Sequence, residues 1–217
     1  MSQFKITGGA RIGWANATWP FATLIVTEDR LDLNAGIIGN YSFLQEDIVS
    51  IEPYSSMPLI GRGIKINHKI SKYKDRVIFW TFGNPEELIK EIEQTGFLNN
   101  NSMTTDQEVR NQVIEKQQRG VFPIRISAAI AIVVLWNLLF LMDFYGIGIQ
   151  GDKIPIGKGA ESALGLVLLV CFLTIVFKPF RQIILKDGHD IEEIKKFLYF
   201  LIFICGMMLL SFLTIPR

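Results

Sequence analysis

Histidine and cysteine are scarce in this chain: 217 residues carry two of each. Cys171 and Cys205 both fall inside apolar runs, where a thiol behaves as a small hydrophobe. They give no disulfide framework, no zinc signature and no redox motif, and no cofactor is expected. Charge of one sign is also lacking. The formal net charge is +1, so the overall balance argues neither for nucleic acid nor for an acidic substrate as partner. Residues 1–20 have no basic stretch leading into an apolar one, so no cleavable secretory signal is expected and the N-terminal part should stay in the cytosol. No internal repeat or low-complexity tract stands out.

Catalytic signatures are missing too. GxSxG, HExxH, CxxC and kinase-type sets do not occur. The glycine-rich stretch GIGIQGDKIPIGKGAE fails as a phosphate-binding loop. Five residues separate Gly151 from Gly157, and Gly159 stands where Ser or Thr is required. His189 has Asp190, Glu192 and Glu193 nearby, but one histidine among acids reads as a charged helix start before it reads as a metal site. The expectation is a chain without catalytic residues and without a metal.

What the sequence does have is asymmetry. Charged residues are spread through Met1 to Phe97, whereas after Arg125 they gather at the borders of three apolar runs. Seventeen uncharged residues lie between Arg125 and Asp143, 16 from Ser162 to Phe177, and 20 from Phe197 to Pro216. About 20 apolar residues at 1.5 Å each cross a hydrocarbon core about 30 Å thick. Three spans are therefore expected, at about 124–145, 160–179 and 197–215. The middle run is the shortest. It is followed by Lys178 and Pro179, and a helix kinked there and continuing through Leu185, or a re-entrant segment, are its alternatives.

Nine Lys and Arg flank the first span on its N-terminal side and fill the loop between the second and third, against three at the other ends, Lys153, Lys158 and Arg217. The positive-inside rule then places the N-terminal domain in the cytoplasm and the C-terminus outside. Asn137 is the polar residue within the first span, and an interhelical hydrogen bond is its expected role. In a transporter or channel subunit it would be a pathway residue.

From Arg11 to Phe82 the pattern is of short strands between turn residues: near Arg11 to Ala15, then Phe21 to Val26, Arg30 to Asn34, Ile38 to Leu44, Asp47 to Glu52, Leu59 to His68 and Arg76 to Phe82. Glu28-Asp29 reads as a hairpin tip. Asn84-Pro85-Glu86-Glu87 then supplies an N-cap, a proline at N1 and a carboxylate at N3, which predicts a helix over 85–95. Leu88, Ile89 and Ile92 form its apolar stripe, and Gly96-Phe97 a Schellman-type stop.

The stretches WPFATLIVTEDRLDLNAGIIGNYSFLQEDIVSIEP, LIGRGIKINHK and RVIFWTFGNPEELIKEI resemble bacterial pleckstrin-homology-like (PH-like) and GRAM-like domains over about residues 8–97. The resemblance implies an α+β head: a seven-stranded bent barrel capped by one C-terminal helix. A plain β-sandwich is the alternative. Trp14, Trp19, Trp80 and Phe82 are expected to add bulk to the core. The head would occupy 1–97, a polar linker or stalk helix 98–122, and an all-α transmembrane region of three helices 123–217. Within the linker a helix is read from Thr105 to Gln118, with Val109, Val113 and Ile114 on a narrow apolar edge.

Phosphoinositide-binding PH domains grip phosphates with basic residues of the first hairpin, and here Arg11 is the one basic residue between Arg11 and Ala22. The basic residues lie instead at Arg62, Lys65, Lys69, Lys72, Lys74 and Arg76, around a single acid, Asp75. They are candidates for contact with anionic lipid headgroups or with a protein partner, set against a merely solvated hairpin. Alternation sends Ile64, Ile66 and His68 to the opposite face, so His68 is expected at the core or its rim.

The function expected is a membrane-anchored binding or scaffold module at the inner face of a bacterial plasma membrane, serving a protein partner or its own copies. The alternatives are an accessory subunit of a small transporter or channel, or a membrane enzyme.

Overall fold

A computed structural model describes residues 3–55, 61–99, 106–150 and 157–214, the side chains of 144–150 and 213 excepted. The expected strand start at Leu59, helix start at Thr105, loop residues Gly151 and Lys153, and terminal Arg217 lie outside the described residues. The chain divides into two units, Met1–Pro123 and Ile124–Arg217.

The first unit is one seven-stranded antiparallel sheet, curled into a half-barrel, with strands β1 Phe4–Ile12, β2 Ala15–Val26, β3 Leu31–Asn34, β4 Asn40–Phe43, β5 Ile48–Ser55, β6 Arg62–His68 and β7 Val77–Thr81. Their order across the sheet is β4-β3-β2-β1-β7-β6-β5. Seven strands were expected, but the first is misplaced in the sequence reading. Residues 11–15 contain the two-residue turn Gly13-Trp14 between the partners Ile12 and Ala15, and β1 begins at Phe4. Glycines at positions 8 and 9 hid the strand, since their lack of side chains leaves no alternation to read. Those glycines serve the curl. A Cβ on Gly8 would sit 2.1 Å from the Trp80 carbonyl, and one on Gly63 would sit 1.9 Å from that of Phe79.

The curl closes over a core of Leu24, Leu31, Leu33, Phe43, Ile64, Ile66 and Phe79, all inaccessible. The helix expected after the last strand is α1, Pro85–Gln94, capped by Asn84 Oδ1, which accepts from the Glu86 N–H at 3.0 Å. It drives Leu88 and Ile92 into the core, and Phe97 follows from Gly96, whose φ is +84°.

Residues 106–121, read as linker, instead belong to the first unit. Helix α2, Gln107–Arg119, lies along β4. Val113 is fully buried there. Gln117 donates to the Ser42 carbonyl at 3.0 Å and to Asp47 at 2.8 Å, and the Val121 carbonyl accepts from the Asn40 N–H at 3.0 Å. Arg110 pairs with Glu46 at 2.6 Å and Lys116 with Asp32 at 3.6 Å. A strand edge exposes unpaired backbone groups, and on β4 the Ser42 carbonyl is met by α2, the Asn40 N–H by the segment after it, and the Ser42 N–H by Tyr73. The apolar edge read for this helix is the face that docks, with Val113 buried and Val109 and Ile114 half-buried, and hydrogen bonds and ion pairs surround it.

The second unit contains α3 Ile126–Gln150, α4 Lys158–Val176, α5 Lys178–Ile184 and α6 Ile191–Thr214. Three of them, over Ile126–Asp143, Lys158–Val176 and Ile191–Phe212, are long and apolar enough to cross a membrane. Helix α4 packs against both α3 and α6, with Ala163, Leu164, Cys171 and Thr174 buried. On α3 the large apolar residues Ile130, Val133, Leu135, Leu138 and Leu141 face outward, as lipid-contacting residues do. The kinked continuation past Pro179 does not occur. Phe177 is extended (φ −104°, ψ 103°), α4 stops, and proline opens the separate helix α5.

Candidate functional site

In the first unit two exposed aromatic sites emerge where core residues were expected. Trp14 projects from the β1–β2 turn and is 97% exposed. Trp19 is 55% exposed and Phe82 87%, with their rings 5.9 Å apart edge to face. The register explains Trp19. Between the pairs Gly8↔Ala22 and Ala10↔Ala17, β1 contributes one residue and β2 four, so the extra backbone of 18–21 bulges out and carries Trp19 with it. Phe82 lies just past the end of β7, where no neighbouring strand covers it. Of the four aromatics expected in the core, only Trp80 is partly buried, against the Tyr54 ring at 5.6 Å.

The six basic residues do not form one edge. Arg62 pairs in register with Thr81, beside Phe82, while Lys69, Lys72, Lys74 and Arg76 sit on or beside the β6–β7 connection. At about 3.3 Å per residue, β6 puts roughly 20 Å between those groups, with Lys65 midway. The connection abuts the β1–β2 turn: the Gly13 N–H donates to the Arg76 carbonyl at 2.8 Å, and the Lys74 side chain covers Gly13. Trp14 follows Gly13 in that turn, so it lies at the same end of the sheet as Lys74 and Arg76, both exposed. Arg62 belongs instead to a cleft of about 410 Å³ that it lines with Pro53, Tyr54, Phe82, Asn84 and Pro85.

His68 is at the rim, as expected. Its ring lies 5.4 Å from Phe43 and 5.8 Å from Tyr73, and Nε2 is 3.0 Å from the Lys74 carbonyl. Beside it the Tyr73 oxygen accepts from the Ser42 N–H at 3.3 Å, and the ring packs edge-on with Tyr41 at 5.0 Å. Burial pushes both phenols up to about 12. In Tyr73 the bond to Ser42 opposes that rise and the Asp47 carboxylate adds to it.

In the second unit Asn137 makes no interhelical bond among the described residues. Its amide donates to the Val133 carbonyl of its own helix at 2.7 Å, one turn back. A polar side chain that does join two helices is Asp143. Its carboxylate accepts from the N–H groups of Gly159 and Ala160, each at 2.8 Å, and of Gly157 at 3.2 Å. These are orphan donors at the start of α4, so Asp143 caps a helix from a distant point of the chain. Glycine is required at 159, since a Cβ would lie 2.3 Å from the Leu139 carbonyl. In the sequence Asp143 only borders the first uncharged run; with its partners 14 to 17 positions on, no local pattern signals the cap.

His189 pairs with Glu193 one turn later at 2.7 Å, and Asp190 accepts from the Ile191 N–H at 2.5 Å. These contacts start α6. No cluster of three metal-binding side chains occurs among the described residues. No family model, curated protein or solved structure matches the chain.

Proposed function

We propose that the chain is a non-catalytic, membrane-anchored binding module whose PH-like head presents a docking face to a protein partner or a second copy. The observation that carries this is the exposed Trp19–Phe82 pair, whose Phe82 lines the Pro53–Pro85 cleft together with Arg62. Large aromatics and arginine dominate the binding energy of protein interfaces, and bulky rings left this exposed lose hydrophobic free energy unless something covers them. Seven antiparallel strands followed by a helix that enters the open end of the sheet support the PH-like reading. The distribution of Lys and Arg supports a head on the cytoplasmic side of a bacterial inner membrane with the C-terminus outside.

The test is crosslinking of the full-length protein in mild detergent, with Phe82→Ser and Arg62→Ala compared. A stoichiometric partner or oligomer should be captured by the parent and lost from the variants. Equal capture by all three would refute this face.

A second contact is favoured by Trp14. A tryptophan at a hairpin tip that abuts the lysine-bearing β6–β7 connection suits an anionic bilayer surface, where the ring enters the interface and each cation near the surface contributes about 1 kcal/mol. Trp14 fluorescence in the full-length protein should become inaccessible to an aqueous quencher when anionic lipid is added, and remain accessible in Lys69→Gln/Lys72→Gln/Lys74→Gln.

A further inference from the structure

The head carries opposite charge at two separate places. The β6–β7 connection, residues 69–76, has four cations, Lys69, Lys72, Lys74 and Arg76, against the single acid Asp75, a net +3, and all are exposed. Helix α1 has Glu86, Glu87, Glu91 and Glu93 against Lys90, a net −3, and these are exposed as well. Among the described residues no ion pair engages any of them. The register keeps the two places apart. Val77, which follows the connection, pairs with Ile66 and Ile12, whereas Thr81 at the other end of β7 pairs with Arg62, next to the Asn84 cap of α1. At about 3.3 Å per residue the start of α1 is therefore roughly 20 Å from the connection, several times the reach of an ion pair.

Each charged place also has an apolar companion. At the basic one Trp14 projects from the β1–β2 turn, which is joined to the connection by the Gly13–Arg76 backbone bond and by the Lys74 side chain over Gly13. At the acidic one the cleft of about 410 Å³ opens between Pro53, Tyr54, Phe82 and Pro85, with Glu86 of α1 among its walls. Arg62 shares those walls but has a contact of its own, and its charge is no part of the match. The volume falls within the range of about 300–1,000 Å³ found for ligand pockets, room enough for one indole. An anionic bilayer would use Trp14 and the cations, but would leave the cleft and the acids of α1 without a partner.

We propose that the heads associate head to tail: Trp14 of one copy enters the Pro53–Pro85 cleft of the next, with the cations of its β6–β7 connection against the acids of that neighbour's α1. This contact rests on the reading of the cleft as a docking face and names what docks there. Knob and cleft are different parts of the surface, so the contact is heterologous. Each copy gives one and receives one, and pairs extend into rows or rings instead of stopping at two. Complementary potentials orient the approach, and salt weakens them. Anchors in one membrane raise the local concentration of heads, so a contact that is weak between free domains suffices.

The experiment mixes isotope-labelled and unlabelled full-length protein in neutral detergent without added lipid. A zero-length carbodiimide joins touching amines and carboxylates, and mass spectrometry maps the mixed-isotope links. Lys69, Lys72 or Lys74 of one copy should be linked to the glutamates of α1 in another, in a ladder that continues beyond the dimer. Trp14→Ser and Phe82→Ser should each lower the yield roughly fivefold or more. Mixed together they should restore dimers and nothing larger, since one keeps the cleft and the other the knob. Lys72→Glu/Lys74→Glu should weaken association roughly tenfold, and mixing it with Glu87→Lys/Glu91→Lys should recover it. All the substituted residues are exposed; if a charge-reversed protein does not stay soluble, Trp14→Ser and its mixture with Phe82→Ser decide. A yield from Trp14→Ser within twofold of the parent, or no mixed-isotope link between the connection and α1, overturns the head-to-tail contact. A different polypeptide crosslinked at the Phe82 face keeps the docking face and overturns the second copy as its occupant. Capture unchanged in both Phe82→Ser and Arg62→Ala refutes the docking face itself. Trp14 shielded by anionic lipid, in a protein that forms no links without it, assigns the basic end to the bilayer and overturns the contact.

Discussion

Removing the Asp143 carboxylate should loosen the second unit more than any single apolar truncation in α3. Asp143→Ala leaves the N–H groups of Gly157, Gly159 and Ala160 without their acceptor. Losing an N-cap costs about 0.5–2 kcal/mol, and a buried donor left unpaired about 1–3 kcal/mol. Two of the three bonds are short at 2.8 Å and charge-assisted, so a loss of about 3 kcal/mol is the reasonable sum. Asp143→Asn keeps one acceptor oxygen and gives up the charge, and should cost about half as much. Gly159→Ala should match Asp143→Ala with the carboxylate intact, because its methyl would meet the Leu139 carbonyl and push α4 away. The assay is SDS-induced unfolding of the full-length protein in mixed micelles, followed by helical circular dichroism. Asp143→Ala within about 0.5 kcal/mol of the parent would refute the cap as a structural element.

Val113→Ala should destabilise the head by about 2 kcal/mol, the cost of a cavity under a buried aliphatic side chain, and admit protease between Gln107 and Arg119. Unchanged cleavage would mean that α2 is held by its polar bonds alone. The buried phenols set a pH limit on the head. The unfolded chain releases these protons near pH 10 and the fold retains them to about 12, so stability is intact below pH 10 and falls between 10 and 12. The fall should reach about 2–3 kcal/mol per tyrosine, read by denaturant titration of near-ultraviolet circular dichroism, and Tyr73→Phe should remove about half of it. A flat profile to pH 11.5 would contradict the burial of both rings.

Much of the architecture was legible from local chemistry. Period-two alternation marked Leu31–Asn34, the Asn84-Pro85 cap and Gly96 delimited α1, and runs without charge located the three long apolar helices. Each of these signals is carried within about 20 consecutive residues, so it survives in one dimension. Pro179 was legible as a disruption, but whether the helix bends or ends there depended on Phe177 becoming extended.

The remainder depended on partners far along the chain. Trp14, Trp19 and Phe82 have the composition of core residues, and only a tight turn, a bulge and a strand end decide that they point outward. Helix α2 looks like a free polar rod until Ser42, Glu46 and Asp47 are placed beside it. Asp143 looks like an interfacial flank until the start of α4 arrives at its carboxylate. Hydrophobicity is a property of a residue and can be read in sequence, whereas satisfaction of a donor or acceptor is a property of a pair, and these pairs form only when the chain folds.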